Sequence, residues 1–325
     1  MKKIVRRILL CAIVLLVVLM AGAFYLLDYA LCPADMNSRS RNIDSSFQLI
    51  ANEYPQESQW LDSVMAAGAL HDIYIEDDNG LNHHALYIPA AIPTANTAVV
   101  LHGYTDNSIR MMMIAYMYSK ELGYNVLLPD LYGHGLTDGE TIRMGYLDRL
   151  DALRWIETAD ELFGGPFSGV RVVVHGISMG AATAMMVAGE VEHGLHQLPY
   201  VKCFVADCGY TSVWEQFKSE LSAQFNLPAF PLLHLSSWLC QLRYGWNFKE
   251  ASPLEAVKRC SLPILFIHGD ADTFVPISMV HELYEAKSSP KELWLAPGVD
   301  HAHAYRDCTE EYTKQVKDFL NEYMQ

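Results

Sequence analysis

Residues 171–186 read "RVVVHGISMGAATAMM", a β-branched apolar run that turns across "GISMG" into small and long apolar residues. Gly176 and Gly180 flank Ser178 where strand gives way to helix. A plain turn needs one glycine. Two around a serine imply a corner so sharp that side chains on either side would clash, as in the nucleophile-elbow pattern G-x-S-x-G. The Ser178 hydroxyl would then stand at the C-terminal edge of the strand. The N–H of Met179 would open the following helix, where helix amides favour developing negative charge.

Working outward, "TAVVLHG" (97–103), "YNVLLPD" (124–130), "VKCFVAD" (201–207), "PILFIHG" (263–269) and "ELWLAPG" (292–298) are further strand candidates. Their near-continuous apolar character fits strands covered on both faces of a parallel sheet. Two earlier runs, "HDIYIED" (71–77) and "HALYIPA" (84–90), alternate instead and are joined across "DNG", a hairpin signal. Helical patterns occupy 143–162, 179–190 and 309–323. A hairpin followed by strand–helix units predicts an α/β fold, a doubly wound and mostly parallel sheet. Between the strands at 201–207 and 263–269 lie 55 residues, 208–262, holding Trp214, Phe217, Phe225, Phe230, Trp238, Tyr244, Trp246 and Phe248. They are expected to form a small helical cap, aromatics facing the sheet.

The N-terminus is a separate unit. Lys2, Lys3, Arg6 and Arg7 precede an uncharged run of 20 residues, 8–27, ending at Asp28. At about 1.5 Å rise per residue that run spans the ~30 Å hydrocarbon core. A small-residue "AGA" at 21–23 resembles a signal-cleavage site, but the apolar "FYLL" behind it would make an awkward mature start, so an uncleaved anchor is preferred. The four cations keep the N-terminus cytoplasmic and place the rest outside the cytoplasm, or secreted were the segment cleaved. The expected layout is an anchor or signal over 1–27, a stalk with short helices packing on the body over 28–66 and the main domain over 67–325.

All 38 acidic residues but only 19 of the 23 basic ones lie beyond residue 27, which argues against nucleic acid or an anionic lipid surface as the ligand of the main domain. The seven cysteines include no C-x-x-C pair, so neither a disulfide scaffold nor a zinc site is expected. His83–His84 and His301-x-His303 lack a third ligand at sensible spacing, so no metal site is assigned.

Six stretches in order, "VVLHGYTDN" (99–107), "LLPDLYGHGLTDG" (127–139), "GISMGAAT" (176–183), "DCGYTS" (207–212), "FIHGDADTFVP" (266–276) and "PGVDHAHAY" (297–305), resemble the α/β-hydrolase superfamily over about residues 70–323. The likeness is nearest to its bacterial membrane-anchored or secreted esterase and serine aminopeptidase-like branch. The resemblance implies a serine nucleophile, Ser178, with acid and base following in the order Ser, Asp, His. It favours Asp272 as the acid over Asp270, with Asp207 as an outside alternative, and His301 over His303 as the base. It also implies the N–H of Tyr104 as a second oxyanion donor beside that of Met179, with His134 as loop architecture. No cofactor is implied. The expected substrate is a small ester or amide. An ester hydrolase comes first; an aminopeptidase of the same fold would need a carboxylate such as Glu215, Glu220 or Glu250 to grip an amine. A non-catalytic membrane-anchored binding protein is a rival from another class.

Overall fold

The computed structural model describes residues 2–165, 169–191, 197–288 and 290–325. Eight strands form one sheet: β1 (His71–Glu76), β2 (Asn82–Ile88), β3 (Asn96–Leu101), β4 (Asn125–Pro129), β5 (Arg171–Ile177), β6 (Val201–Asp207), β7 (Ile264–Gly269) and β8 (Lys291–Ala296). Their spatial order is β1-β2-β4-β3-β5-β6-β7-β8. The β1–β2 hairpin and the β2–β4 pair are antiparallel, and every pairing from β4 to β8 is parallel.

The chain starts the parallel part in the middle, at β3, steps out to β4, then returns past β3 to β5. Loops leaving β3 and β5 therefore diverge, opening a crevice at the C-terminal strand ends, where doubly wound sheets bind ligands. In register, Leu101 at the end of β3 lies opposite Gly176 on β5, so the "HGY" and "GISMG" loops leave the sheet side by side.

Both faces of the sheet are covered, and for that reason these strands are apolar throughout. Val99 and Leu101 pack into one layer with α5 (Asp148–Phe163) and α6 (Met179–Ala188). Ala98 and Val100 pack into the other, with α2 (Ile43–Glu53), α3 (Pro55–Ala66), α4 (Met112–Tyr116) and the C-terminal α12 (Thr309–Tyr323). The helices over residues 43–66 bury Ile50, Tyr54 and Leu61 against the sheet layer.

Residues 208–262 hold three helices, α7 (Val213–Phe225), α8 (Leu232–Tyr244) and α9 (Pro253–Arg259). Only α7 and α8 stand over the crevice. The third belongs to the body, since a Cβ on Gly189 just beyond α6 would lie 2.9 Å from Ala256 of α9. The cap is thus smaller than the segment marked out by sequence, and its aromatics divide: Phe217 and Phe248 turn inward, whereas Phe230 and Trp238 face out.

At the N-terminus, α1 (Lys2–Leu31) is a helix of 30 residues, long and apolar enough to cross a membrane. Its large apolar side chains from Ile4 to Val18 are more than half exposed. Beyond residue 22 it changes environment: Ala23, Leu27 and Leu31 are buried against the cap and body. Ser236 on α8 donates to the Ala23 carbonyl at 2.9 Å, Arg243 pairs with Asp28 at 2.8 Å, and Tyr104 donates to the Ala30 carbonyl at 2.9 Å.

Candidate active site

Ser178 sits between β5 and α6 with φ 56° and ψ −115°, a left-handed conformation that costs a non-glycine residue about 1–3 kcal/mol. The surroundings hold it there. Its N–H donates to the Asp207 carbonyl at 2.8 Å and its own carbonyl accepts from Ala182 at 3.0 Å. The two glycines are required by contact. A Cβ on Gly176 would lie 2.0 Å from the Gly180 carbonyl oxygen, and a Cβ on Gly180 would lie 2.0 Å from that of Leu101.

Loops after β7 and β8 bring the other two side chains to this corner. His301 Nε2 lies 2.9 Å from Ser178 Oγ, and His301 Nδ1 lies 2.7 Å from Asp272 Oδ2. The Asp272 carboxylate is fully shielded from solvent, and its other oxygen accepts the N–H groups of Phe274 (2.9 Å) and Val275 (2.8 Å). Those two bonds fix its orientation. The Phe274 ring lies against the imidazole, centroids 4.9 Å apart.

The neighbouring aspartates tie loops together. Asp270 accepts the Gly298 N–H at 2.6 Å, joining the loop of Asp272 to that of His301. Asp300 accepts from the N–H of His301 (2.8 Å) and of Thr273 (3.3 Å), bonds that pull its carboxyl below the ordinary range. It is therefore a second tie between the loops. Asp207 is not behind His301; it receives the Tyr312 hydroxyl at 3.1 Å. His303 precedes the short helix at Ala304–Asp307, and it is His301 that meets Ser178.

Tyr104 and Met179 both line this cavity, and among the described residues neither N–H has a backbone acceptor. The histidines nearby are neutral spacers. His102 accepts the Leu131 N–H at 2.9 Å and is hydrogen-bonded to the Gly103 carbonyl, while burial pushes His134 down to about 3. On the hairpin, His84 bridges Asp130 (2.7 Å) and Asp72 (3.0 Å), whereas His83 faces Asp77 and Asp151. Adjacent strand residues point to opposite faces, so the pair cannot close on one ion. Among the described residues, the only cluster of three ligand-type side chains is Cys208, Asp272 and His301, within 4.8 Å of one another. Two of its members are already bonded to each other.

Three parts of this site were not assigned from sequence. Cys208, beneath the Asp272–His301 pair, is fully buried, which raises its thiol well above the usual range. Behind β5 a buried chain runs from Tyr118 through His175 (3.1 Å) and Tyr312 (2.9 Å) to Asp207. Finally, the cavity above Ser178, about 690 Å³, has α1 as one wall: Tyr25, Leu26 and Tyr29 face Phe217, Glu220 and Phe225 of α7. "DCGYTS" was visible as a motif, but nothing in the apolar N-terminal run marked part of it as cavity lining.

Comparison with known proteins agrees with this architecture. Residues 98–314 match the sequence model of the alpha/beta hydrolase family. The uncharacterized protein YqkD of Bacillus subtilis is 31% identical over 263 residues, 77% of this chain and 83% of its own. Among solved structures, the Pyrococcus furiosus esterase Pf2001 superposes with a TM-score of 0.61 at 25% identity, over 79% of this chain and 92% of its own. Est1E of Butyrivibrio proteoclasticus, solved with ferulic acid, gives a TM-score of 0.58 at 20% identity, over 77% of this chain and 98% of its own. The chain belongs to the alpha/beta hydrolase family.

Proposed function

We propose that the protein is a membrane-anchored serine hydrolase that cleaves carboxylic esters. The observation that carries this reading is the continuous contact Ser178 Oγ–His301 Nε2–Asp272, at 2.9 and 2.7 Å. With Nδ1–H donated to the carboxylate, Nε2 is left as the acceptor for the serine proton. Ser178 Oγ attacks the ester carbonyl as His301 takes that proton, and the oxyanion meets the N–H groups of Tyr104 and Met179. One such donor typically contributes about 2.7–4 kcal/mol to the transition state. The tetrahedral adduct collapses, and His301 returns the proton to the departing alcohol. A water molecule, deprotonated by His301, then attacks the acyl-serine. The carboxylic acid leaves and the Ser178 hydroxyl is restored. The esterase Pf2001, at 25% identity, supports ester chemistry on this scaffold.

One observation favours a second reading, hydrolysis of aminoacyl amides. Glu220 lines the cavity, half-buried, with its carboxyl raised by burial. It is the one carboxylate of the three named from sequence that does so; Glu215 pairs with Lys218 and Glu250 lies against Asn247, both exposed. The ester reading rests on the remaining wall, which is predominantly apolar and aromatic. The test compares 4-nitrophenyl esters of increasing chain length with aminoacyl 4-nitroanilides, using the wild type and Ser178→Ala. Ester turnover at least tenfold above amide turnover, lost by about 10³-fold or more in the variant, is expected. Faster amides would transfer the assignment to the peptidase reading.

A further inference from the structure

We infer that the cap is seated in the membrane surface and that the cavity takes its acyl ester laterally from the bilayer. This rests on the ester reading above and names its substrate class: esters of lipids resident in the bilayer.

The first observation is one of length. The uncharged run 8–27 is 20 residues, about 30 Å of helix, matching the hydrocarbon core of a bilayer. Yet α1 is already in the protein by Ala23. Only about 15 residues, about 23 Å, separate Arg7 from the cap. Snorkelling of Arg6 and Arg7 recovers part of the difference. Seating the full apolar run brings the bilayer to the level of residues 23–27, and those residues lie alongside the cap.

The second observation is what the cap presents at that level. α1 and α8 run side by side in the same direction, since Gly22 abuts Leu232, Ala23 bonds Ser236 and Asp28 pairs with Arg243. The segment 226–231 that enters α8 therefore lies on the side toward the exposed part of α1. It carries Leu227 and Phe230, the latter 73% exposed. Phe225, at the end of α7, meets Tyr29 edge to face at 5.6 Å, and Tyr25 stacks on Tyr29 at 6.2 Å. Phe24, Tyr25 and Tyr29 on α1 are each more than two-fifths exposed. Exposed aromatics grouped beside a span are what the headgroup region accommodates, and a contiguous apolar patch in water is costly. Continuity with the span commits the patch to the lipid surface.

The third observation links patch to cavity. Tyr25, Tyr29, Gln224 and Phe225 belong both to this rim and to the wall of the cavity that reaches Ser178. A lipid at the rim has a covered path to the serine, bounded by α1 on one side and α7 on the other.

The test uses the full chain in vesicles of a diether phosphatidylcholine, with 1-oleoylglycerol in the bilayer and 4-nitrophenyl butyrate in solution as alternative substrates. Leu227→Glu/Phe230→Glu changes neither the serine nor the cavity wall. It is expected to lower oleoylglycerol turnover at least tenfold while butyrate turnover stays within about twofold. Equal turnover of oleoylglycerol by variant and wild type overturns the inference. A wild type active on neither ester removes the ester reading and the lipid substrate with it. The membrane seat is read separately: in Ser178→Ala protein, the emission added by Phe230→Trp, taken as the difference from Ser178→Ala protein with its six native tryptophans alone, is expected to be quenched by bromolipids. An added emission unaffected by bromolipids overturns the seat, whatever the activity.

Discussion

Asp207 ends β6 directly beneath the Ser178 corner, with its backbone carbonyl holding the serine N–H and its side chain sealed from water. One carboxylate oxygen receives the Tyr312 hydroxyl, and the Cys208 thiol lies beside the carboxyl. Burial pushes this carboxyl from the ordinary 3.8 up to about 7. An acid whose folded value is raised binds protons more tightly in the folded chain, so its contribution to stability is complete below about 3.8 and is lost as pH rises through about 7. Asp207→Asn removes that dependence. The melting temperature of the variant relative to the wild type is expected to be higher at pH 8 than at pH 5, by thermal unfolding at both. Asp148, also raised to about 7 by burial, titrates in both proteins and cancels in the comparison. A difference that does not change with pH would contradict it. At this scale the sequence was informative wherever a residue sits in a motif of fixed geometry. Ser178, Asp272 and His301 were named from short stretches and lie together. The Tyr118–His175–Tyr312–Asp207 chain was not legible, because its members come from four distant elements and only packing brings them together.

The elbow shows how an element's shape depends on what lies beside it. A Cβ on Gly180 would meet not only the Leu101 oxygen at 2.0 Å but also the Leu101 carbonyl carbon at 2.6 Å and the His102 oxygen at 2.7 Å. These are backbone atoms of the neighbouring strand, and Tyr104 is two residues further on. Overpacking of this kind costs about 1–3 kcal/mol or more. Gly180→Ala is expected to lower the melting temperature by several degrees and to reduce kcat/KM for a short ester at least tenfold, by moving the Tyr104 loop away from Ser178. Wild-type melting and turnover in this variant would show that the close approach of α6 to β3 is not required. All eight strands were readable because β3 to β7 bury both faces and so carry unbroken apolar runs, while β1 and β2 alternate. The helices over 43–66 were readable as short helices packing on the body but without bounds, and the one over 112–116 was not, since a polar–apolar mixture is also that of a connecting segment. The cap was readable as a helical insertion but not as two helices facing inward, because aromatic content is the same whichever side is buried. Trp246 is core and Phe230 is surface, and neither neighbourhood in sequence distinguishes them.

On the scale of the whole molecule, one continuous element, α1, runs from an exposed apolar stretch long enough to cross a membrane to the wall of the cleft. The N-terminal run was readable as an apolar helix long enough to span a bilayer, but its final turns pack on the cap and body, which hydropathy does not encode. Leu27 and Leu31 would be apolar in a bilayer and are equally apolar against the cap, so the boundary between lipid and protein leaves no mark in the residues. Burial against the cap and body begins near Ala23, inside the "AGA" that resembles a cleavage site. The central claim remains that the Ser178 hydroxyl is made nucleophilic by His301 and Asp272 beneath this roof. Its most direct test is to treat the full chain with a fluorophosphonate, digest it and locate the adduct by mass spectrometry. The account predicts one stoichiometric adduct on the peptide containing Ser178, absent from Ser178→Ala. A folded wild type that acquires no adduct, or acquires it equally in the variant, would contradict it.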